Sequence, residues 1–198
     1  ILDTEDLHCL RIAREDAYKA QRKFNKKDLF NTIAKREIAS ILRCDLSMII
    51  SEAEMDILKD AFKMDPSLLM YLPFLLEASS AESLTNISTF GERNDFMIIG
   101  NWLHKPNLAT LDYVKKKVWP IIKKELPPAQ LRCFGAYSSQ KIEQLHNPKE
   151  GFIMMGRADN AETIFKQSKI LLAPVPYGAG LKTKFIQAMQ HGLPSITT

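Results

Sequence analysis

Apolar residues in this chain fall into two patterns. Some form short continuous runs, which read as buried strands, and others recur every three or four positions, which reads as helix. Over residues 1–72 the order is strand, helix, helix, strand, helix, strand. Asp6 is a plausible cap for the first helix, which runs through Tyr18. A second helix covers Asn31 to Arg43, and Leu46 to Ile50 is a short strand. Ser51 and Glu54 have the S-x-x-E spacing of a capping box that opens a helix through Phe62. Leu68 to Leu72 is the next strand, and Pro73 stops it.

Residues 77–94, "EASSAESLTNISTFGERN", are polar and Ser-rich, so a linker is placed there between a domain over 1–76 and another over 95–198. In the second domain, strands at Phe96–Ile99, Leu131–Phe134, Phe152–Met155, Ile170–Val175 and Ser195–Thr197 alternate with helices. The helices are expected at Leu108–Lys124, Ser138–His146, Ala161–Gln167 and Leu181–Gln190. Such alternation implies parallel βαβ units in a doubly wound α/β sheet, whose ligands bind beyond the carboxyl ends of the strands. That rim would carry Gly100–Asn107, Gly135–Ser138, Gly156–Asn160 and Pro174–Lys184.

The last of these loops holds the chemistry. In "LLAPVPYGAGLKTKFIQAMQHGLPSITT" a strand breaks at Pro and Gly, and Lys182 and Lys184 follow in the first turn of a helix whose inner face would be Leu181, Phe185 and Met189. Gly178 and Gly180 permit positive φ and close approach to the backbone. Lysines at the positive end of a helix are unfavourable by roughly 0.3–1 kcal/mol each unless an anion lies there, and a phosphate would resolve the conflict. The plainer reading is a pair of solvated lysines.

Composition narrows the classes. A net charge of +4 without a long basic block does not favour nucleic acid as a partner. The three cysteines, Cys9, Cys44 and Cys133, lack metal-site spacing and fit reduced thiols. One glycine in "IIGNWLHKPN" disfavours a nicotinamide-binding G-x-G-x-x-G site. No run is long enough to span a membrane. Ile1 and the terminal "PSITT" read as strand ends whose partners are missing, so we expect a fragment of a longer protein.

The segments "FMIIGNWLHKPN", "LRCFGA", "GFIMMGRADN" and the closing stretch resemble, in order and spacing, the donor domain of the GT-B retaining glycosyltransferases of the family 4, or group 1, type. The resemblance covers about residues 93–198. More loosely, "DTEDLHCLR" and "CDLSMIISEAEMDIL" resemble the later part of the companion acceptor-side domain. It implies two Rossmann-like domains, both incomplete in this chain. It also implies sugar transfer, of hexosyltransferase type, from a nucleoside diphosphate sugar, with retention and with no metal or cofactor beyond the donor itself. The acceptor would be an unidentified carbohydrate, lipid or protein, and the setting cytoplasmic glycan biosynthesis.

By the same resemblance, Gly100, Lys105, Gly180, Leu181, Lys182 and Lys184 would meet the donor diphosphate, Gln187 the ribose, and Gly156 and Arg157 the base. His8 would face the donor sugar as the catalytic candidate. Each has a plainer alternative. His8 also reads as a surface histidine among acids, Lys105 as solvated beside a loop packed by Trp102 and Pro106, and Gly156–Arg157 as an ordinary turn capped by Asp159 or Asn160. The family usually carries Glu where this chain has Gln187, and its other acid, near Ala179, is absent too. The alternative function is therefore a degenerate module of the same fold that binds a nucleotide or a partner without turnover. The fragment alone is expected to be inactive. Lys115, Lys116, Lys117, Lys123 and Lys124 read as the solvated face of a helix, the face that would meet an anionic membrane in the full-length protein.

Overall fold

The structure, a computed structural model, describes residues 1–76 and 87–198; most of the expected linker, residues 77–86, lies outside the described residues. The chain divides into two compact units, Ile1–Glu77 with Tyr177–Leu181 and Ala78–Pro176 with Lys182–Thr198.

The first unit is built on three parallel strands, β1 (Leu2–Thr4), β2 (Ser47–Ile49) and β3 (Leu69–Tyr71), in the order β1-β2-β3. Three helices pack with them: α1 (His8–Lys19), α2 (Thr32–Leu42) and α3 (Glu52–Asp60). Leu10, Ala13 and Ala17 recur on the buried face of α1, and Leu7, Leu10, Leu29, Ile41, Ile49 and Leu58 close the core. Asn31 caps α2 as its position suggests, accepting from the Ile33 and Ala34 amides.

Two local expectations fail here. Asp6 does not cap α1; its carboxylate pairs with Arg11 and His8 instead. The helix amides are taken by distant acids: Leu7 N–H donates to Glu54 Oε1 at 3.2 Å, and His8 and Cys9 donate to Glu37 at 2.7 and 3.0 Å. Ser51 and Glu54 do not form a capping box either, since the Ser51 side chain makes no cap hydrogen bond and Glu54 Oε1 points to other amides. A reciprocal box stands instead at Asn25 and Asp28, around a 3-10 turn at Lys26–Leu29.

The second unit has five parallel strands: β4 (Asn94–Asn101), β5 (Leu131–Ala136), β6 (Phe152–Gly156), β7 (Ser168–Leu172) and β8 (Ser195–Ile196). Their order is β6-β5-β4-β7-β8. Successive residues enter opposite cores, as the strand repeat requires. Ile98, Cys133 and Leu172 join Leu111, Val114 and Trp119 on one side, whereas Met97, Phe134 and Leu171 join Phe165 and Ala188 on the other. Helices therefore cover both faces, which makes the sheet doubly wound. All three cysteines are free thiols, and burial pushes Cys9 and Cys133 far above the usual thiol range.

Proline accounts for the main boundary shifts. The expected helix Leu108–Lys124 begins earlier and changes pitch: α4 (Lys105–Tyr113), a π turn at Val114–Val118, then α5 (Trp119–Glu125). Pro106 suits a first turn, and Pro120 has no N–H for the ladder, so the wider turn absorbs the missing bond. The expected helix Ser138–His146 contracts to α6 (Gln140–Glu143), followed by a 3-10 turn at Pro148–Glu150. α7 (Ala161–Gln167) stands where expected, and β7 ends before Pro174. The last helix, α8 (Thr183–Gln190), keeps only Phe185 of the expected inner face: Leu181 and Met189 are exposed, and Ala188 packs inward beside Phe185.

Candidate functional site

In the second unit the strand order reverses direction between β4 and β7, the place where an open parallel sheet leaves a crevice at its carboxyl rim. The chain leaves β4 through a packed corner. Trp102 is buried and donates its backbone N–H to Ala136, and its indole lies so close to Gly135 that a Cβ there would collide with the ring. Only glycine fits. At Gly100 the crowding neighbour is the Asn107 side chain, 2.8 Å from where a Cβ would stand. Asn107 donates from its amide nitrogen to the Asn101 carbonyl at 3.0 Å, and its amide oxygen accepts from Lys184 Nζ at 2.9 Å.

Gly100 and Lys184, predicted to share a site, are thus joined through Asn107, a residue the sequence reading missed. Asn107 carries no recognisable signal beyond its place after the strand. Lys184 lies half-buried in the first turn of α8, and burial, then the neighbouring Lys182, push its ammonium down to about 8. No carboxylate among the described residues offsets that charge. Lys182 stands at the N-cap of α8 and its side chain does not cap the helix. Gln187 is exposed one turn further on.

The remaining candidates of this unit are less constrained. Lys105 is the exposed first residue of α4, beside buried Trp102 and Pro106. Gly156 has φ of +72°, and a Cβ there would meet nothing within 4 Å, so backbone conformation alone selects glycine. Arg157 is exposed, and Asn160, not Asp159, caps α7 through the Thr163 amide. Of the lysine-rich helix face, Lys115 pairs with Glu150 and lies over the Phe152 ring, Lys116 pairs with Asp112, and Lys123 donates to the Pro127 and Ala129 carbonyls. Lys117 and Lys124 remain exposed. The face is therefore less uniformly solvated than the run of lysines suggests.

His8, Gly180 and Leu181 belong to the first unit. His8 is exposed at the start of α1, its Nε2 3.3 Å from the Asp6 carboxylate. It lines a cavity of about 610 Å³ at the carboxyl end of β1, together with Asp3, Glu5, Asp6, Arg36 and Glu37. Gly180 has φ of +63°, and a Cβ would stand 2.9 Å from the Glu5 carbonyl and from Asp6 Cβ. Its N–H was expected to face a phosphate; instead it donates to Glu54 Oε1 at 2.7 Å, so a carboxylate of the protein already fills that position. Gly178, which is equally free to take positive φ, does not adopt it. Leu181 is exposed. Among the described residues, no three His, Cys, Asp or Glu side chains converge as metal ligands would, and no helix is long and apolar enough to cross a membrane.

Several solved structures share this architecture. A mutant of S. aureus TarM, in complex with Fondaparinux, alpha-GlcNAc-glycerol and UDP, superposes with a TM-score of 0.66 at 16% identity, over 89% of this chain and 34% of its own. WaaG, a glycosyltransferase involved in lipopolysaccharide biosynthesis, gives 0.57 at 16% identity over 98% of this chain and 55% of its own. A trehalose-6-phosphate synthase studied for glycosyl transfer with retention gives 0.57 at 11% identity, over 100% of this chain and 57% of its own. At these identities the likeness establishes the fold, GT-B, and this chain spans about a third of the TarM chain's length. No curated protein sequence matches. The family described as glycosyl transferases group 1 matches residues 93–198, just over half of the chain and the whole of the rim built around Lys184. The chain belongs to the group 1 glycosyl transferases.

Proposed function

We propose that the full-length protein transfers a sugar from a nucleoside diphosphate sugar to a hydroxyl acceptor with retention, and that Lys184 and Lys182 receive the donor diphosphate. The observation that carries this reading is Lys184 itself. It is a half-buried ammonium, held by a neutral amide, with no carboxylate among the described residues to offset it, in the first turn of α8. As the glycosidic bond breaks, negative charge grows on the leaving diphosphate, and fixed cations and amides in a partly desolvated site stabilise that charge more than they would in water. Exposed Gln187 would accept and donate hydrogen bonds at the ribose, and Gly156 and Arg157 would meet the base. His8, on the wall of the cavity in the first unit, would contact the transferred sugar or its acceptor. Retention and the donor class are supported by the family and by what TarM and the trehalose-6-phosphate synthase are described as doing.

One observation favours a second reading, binding without turnover. Ala179 is buried in an apolar cluster, and Gln187 is neutral, so neither position where the family carries an acid presents one. Calorimetry of the full-length protein with UDP, GDP and ADP, followed by turnover assays with the matching nucleotide sugars, separates the two. Tight binding of one diphosphate with turnover supports the transferase, binding without turnover supports the second reading, and no binding rejects the transferase and leaves of the second reading only a module that binds a partner.

A further inference from the structure

We propose that Asn107 is a positioning residue for Lys184, holding the ammonium at the carboxyl end of β4 by a neutral contact that leaves its charge for the donor diphosphate, an inference that rests on the reading above. Asn101, Asn107 and Lys184 all belong to the second unit. Asn107 stands in the first turn of α4, and both ends of its carboxamide are in use. The amide nitrogen donates to the Asn101 carbonyl at 3.0 Å, and the amide oxygen accepts from Lys184 Nζ at 2.9 Å. The two contacts fix each other. A carbonyl only accepts and an ammonium only donates, so one orientation of the amide satisfies both.

The backbone around this amide is itself tied down. Asn101 Oδ1 accepts from the Leu103 amide at 2.8 Å, and the Asn101 carbonyl also accepts from the His104 amide at 3.2 Å. Between them Trp102 is buried and donates its N–H to the Ala136 carbonyl at 3.1 Å, which joins the turn to β5. Gly100 supplies the space, since a Cβ there would stand 2.8 Å from both Cγ and Nδ2 of Asn107. The oxygen offered to Lys184 is thus mounted on packed backbone.

For stability alone, a carboxylate would suit position 107 better. Burial and the charge of Lys182 push the Lys184 ammonium down to about 8, and an ion pair would oppose both. The same pair would cancel the charge, and a phosphate would have to displace the carboxylate before it could bind. An amide oxygen takes one of the three ammonium hydrogens and cancels none of the charge. It also holds a long, rotatable side chain in place before any ligand arrives. Such preorganisation appears as affinity, through the ordering that binding no longer has to accomplish.

The test uses the full-length protein with Asn107→Asp and Asn107→Leu, both close to asparagine in size, and with Asn107→Leu combined with Lys184→Met. The Lys184 titration, followed by NMR on lysine-labelled protein, should move in opposite directions. It should rise by about 1 pH unit or more in Asn107→Asp, where a carboxylate favours the charged form, and fall in Asn107→Leu, where that form loses its acceptor. In calorimetry near neutral pH, affinity for the best nucleoside diphosphate should nonetheless fall in both, about tenfold in Asn107→Asp and about fivefold in Asn107→Leu, with little change for the free nucleoside. On the Lys184→Met background, Asn107→Leu should cost almost nothing further, because the interaction it removes is already gone. If the leucine variant does not fold, Asn107→Ser, which is too short to reach the ammonium, takes its place. A Lys184 titration that neither variant moves would overturn the contact. A moved titration with unchanged diphosphate affinity would overturn the positioning role, as would an equal loss on the Lys184→Met background, the behaviour of a residue that only supports the fold. A wild-type protein that binds no nucleoside diphosphate would overturn the functional reading and the ligand part of this proposal, while the titration still decides whether Asn107 holds the ammonium.

Discussion

Two helix N-termini in this protein face the same electrostatic problem and solve it in opposite ways. At α1 the amides of Leu7, His8 and Cys9 are bonded by carboxylates from elsewhere in the unit, Glu54 and Glu37. The positive end of that helix is neutralised by the fold itself. At α8 the N-cap is a lysine whose side chain does not cap the helix, and a second lysine sits half-buried in the first turn. Around Lys184 no carboxylate among the described residues offsets the charge that burial disfavours. A helix end with internal acids serves stability, and the half-buried cation at α8 is where we propose that an external anion binds. The comparison predicts that changes at α1 act on folding and changes at α8 act on binding.

The largest expected effect is at α8. Removing both ammonium groups in Lys182→Ala with Lys184→Ala should weaken nucleoside diphosphate binding by about 100-fold or more, since charge-assisted hydrogen bonds to phosphate contribute roughly 1.5–3 kcal/mol each. Nucleoside binding should change little. Calorimetry with UDP beside uridine, or the corresponding pair for the preferred base, reads the difference. Equal losses for both ligands would mean that the lysines hold the fold rather than the phosphate.

At α1 the counterpart is Glu37→Ala, which strips a carboxylate from two helix amides. Loss of such a cap costs about 1–2 kcal/mol, visible as a lower midpoint in urea. Diphosphate affinity at saturating folded fraction should be unaltered. If Glu37→Ala leaves stability intact and weakens diphosphate binding instead, the division of labour between the two helix ends is wrong.

Acidity offers a third way to sharpen the contrast. Burial lowers the Lys184 ammonium to about 8, so in the ligand-free protein the charged form is dominant below that pH and is lost above it. Phosphate is already ionised in this range, with its second pKa near 6. Diphosphate affinity should therefore fall as pH rises through 8, by about tenfold between pH 7 and pH 9, because only the ammonium form binds well. Binding near pH 8.5 should take up a proton, detectable as a dependence of the calorimetric heat on buffer ionisation enthalpy. Lys184→Met should flatten both signals; if it retains the slope, another group titrates.

What the sequence could show follows the range of the forces involved. The Asn31 cap of α2, the extent of α7 and the parallel alternation of the second unit depend on neighbours a few residues away, and all are legible. Glu54 is not, because its spacing to Ser51 imitates a local motif while its partners lie far along the chain. Nor is the facing of α8. Apolar periodicity puts Leu181, Phe185 and Met189 inside, whereas the fold keeps only Phe185 of these inward, adds Ala188 and half-buries Lys184 against the Asn107 amide. A lysine stem is apolar enough to accept such a place, and a hydrophobicity pattern counts it as polar. The π turn at Val114–Val118 had a visible cause in Pro120, although proline signals a break more clearly than it signals which break. At the proposed site, Lys182, Lys184 and Gly100 stand out in the sequence by type and by their place on the rim, but Asn107, which bonds Lys184 and crowds Gly100, does not.

The smallest expected effect concerns Gln187, three residues after Lys184 on α8 and exposed. Gln187→Glu exchanges a neutral acceptor for a charged one at the place we propose for the ribose, and a charge-assisted bond to a hydroxyl exceeds a neutral one by about 1 kcal/mol. Affinity for a nucleoside diphosphate should rise about fivefold. Inorganic pyrophosphate supplies the control, because it carries the anion without the sugar. A new carboxylate repels it and has no hydroxyl of the ligand to bond, so no compensating gain is expected. Pyrophosphate affinity should therefore stay level or fall slightly while nucleoside diphosphate affinity rises, with thermal stability unchanged. A parallel response of the two ligands would place residue 187 in the general electrostatics of α8 and remove it from the ribose. Opposite responses would locate the ribose one helical turn from the diphosphate lysines, and would turn the lysine-flanked helix end from an attractive surface into a site with a defined orientation.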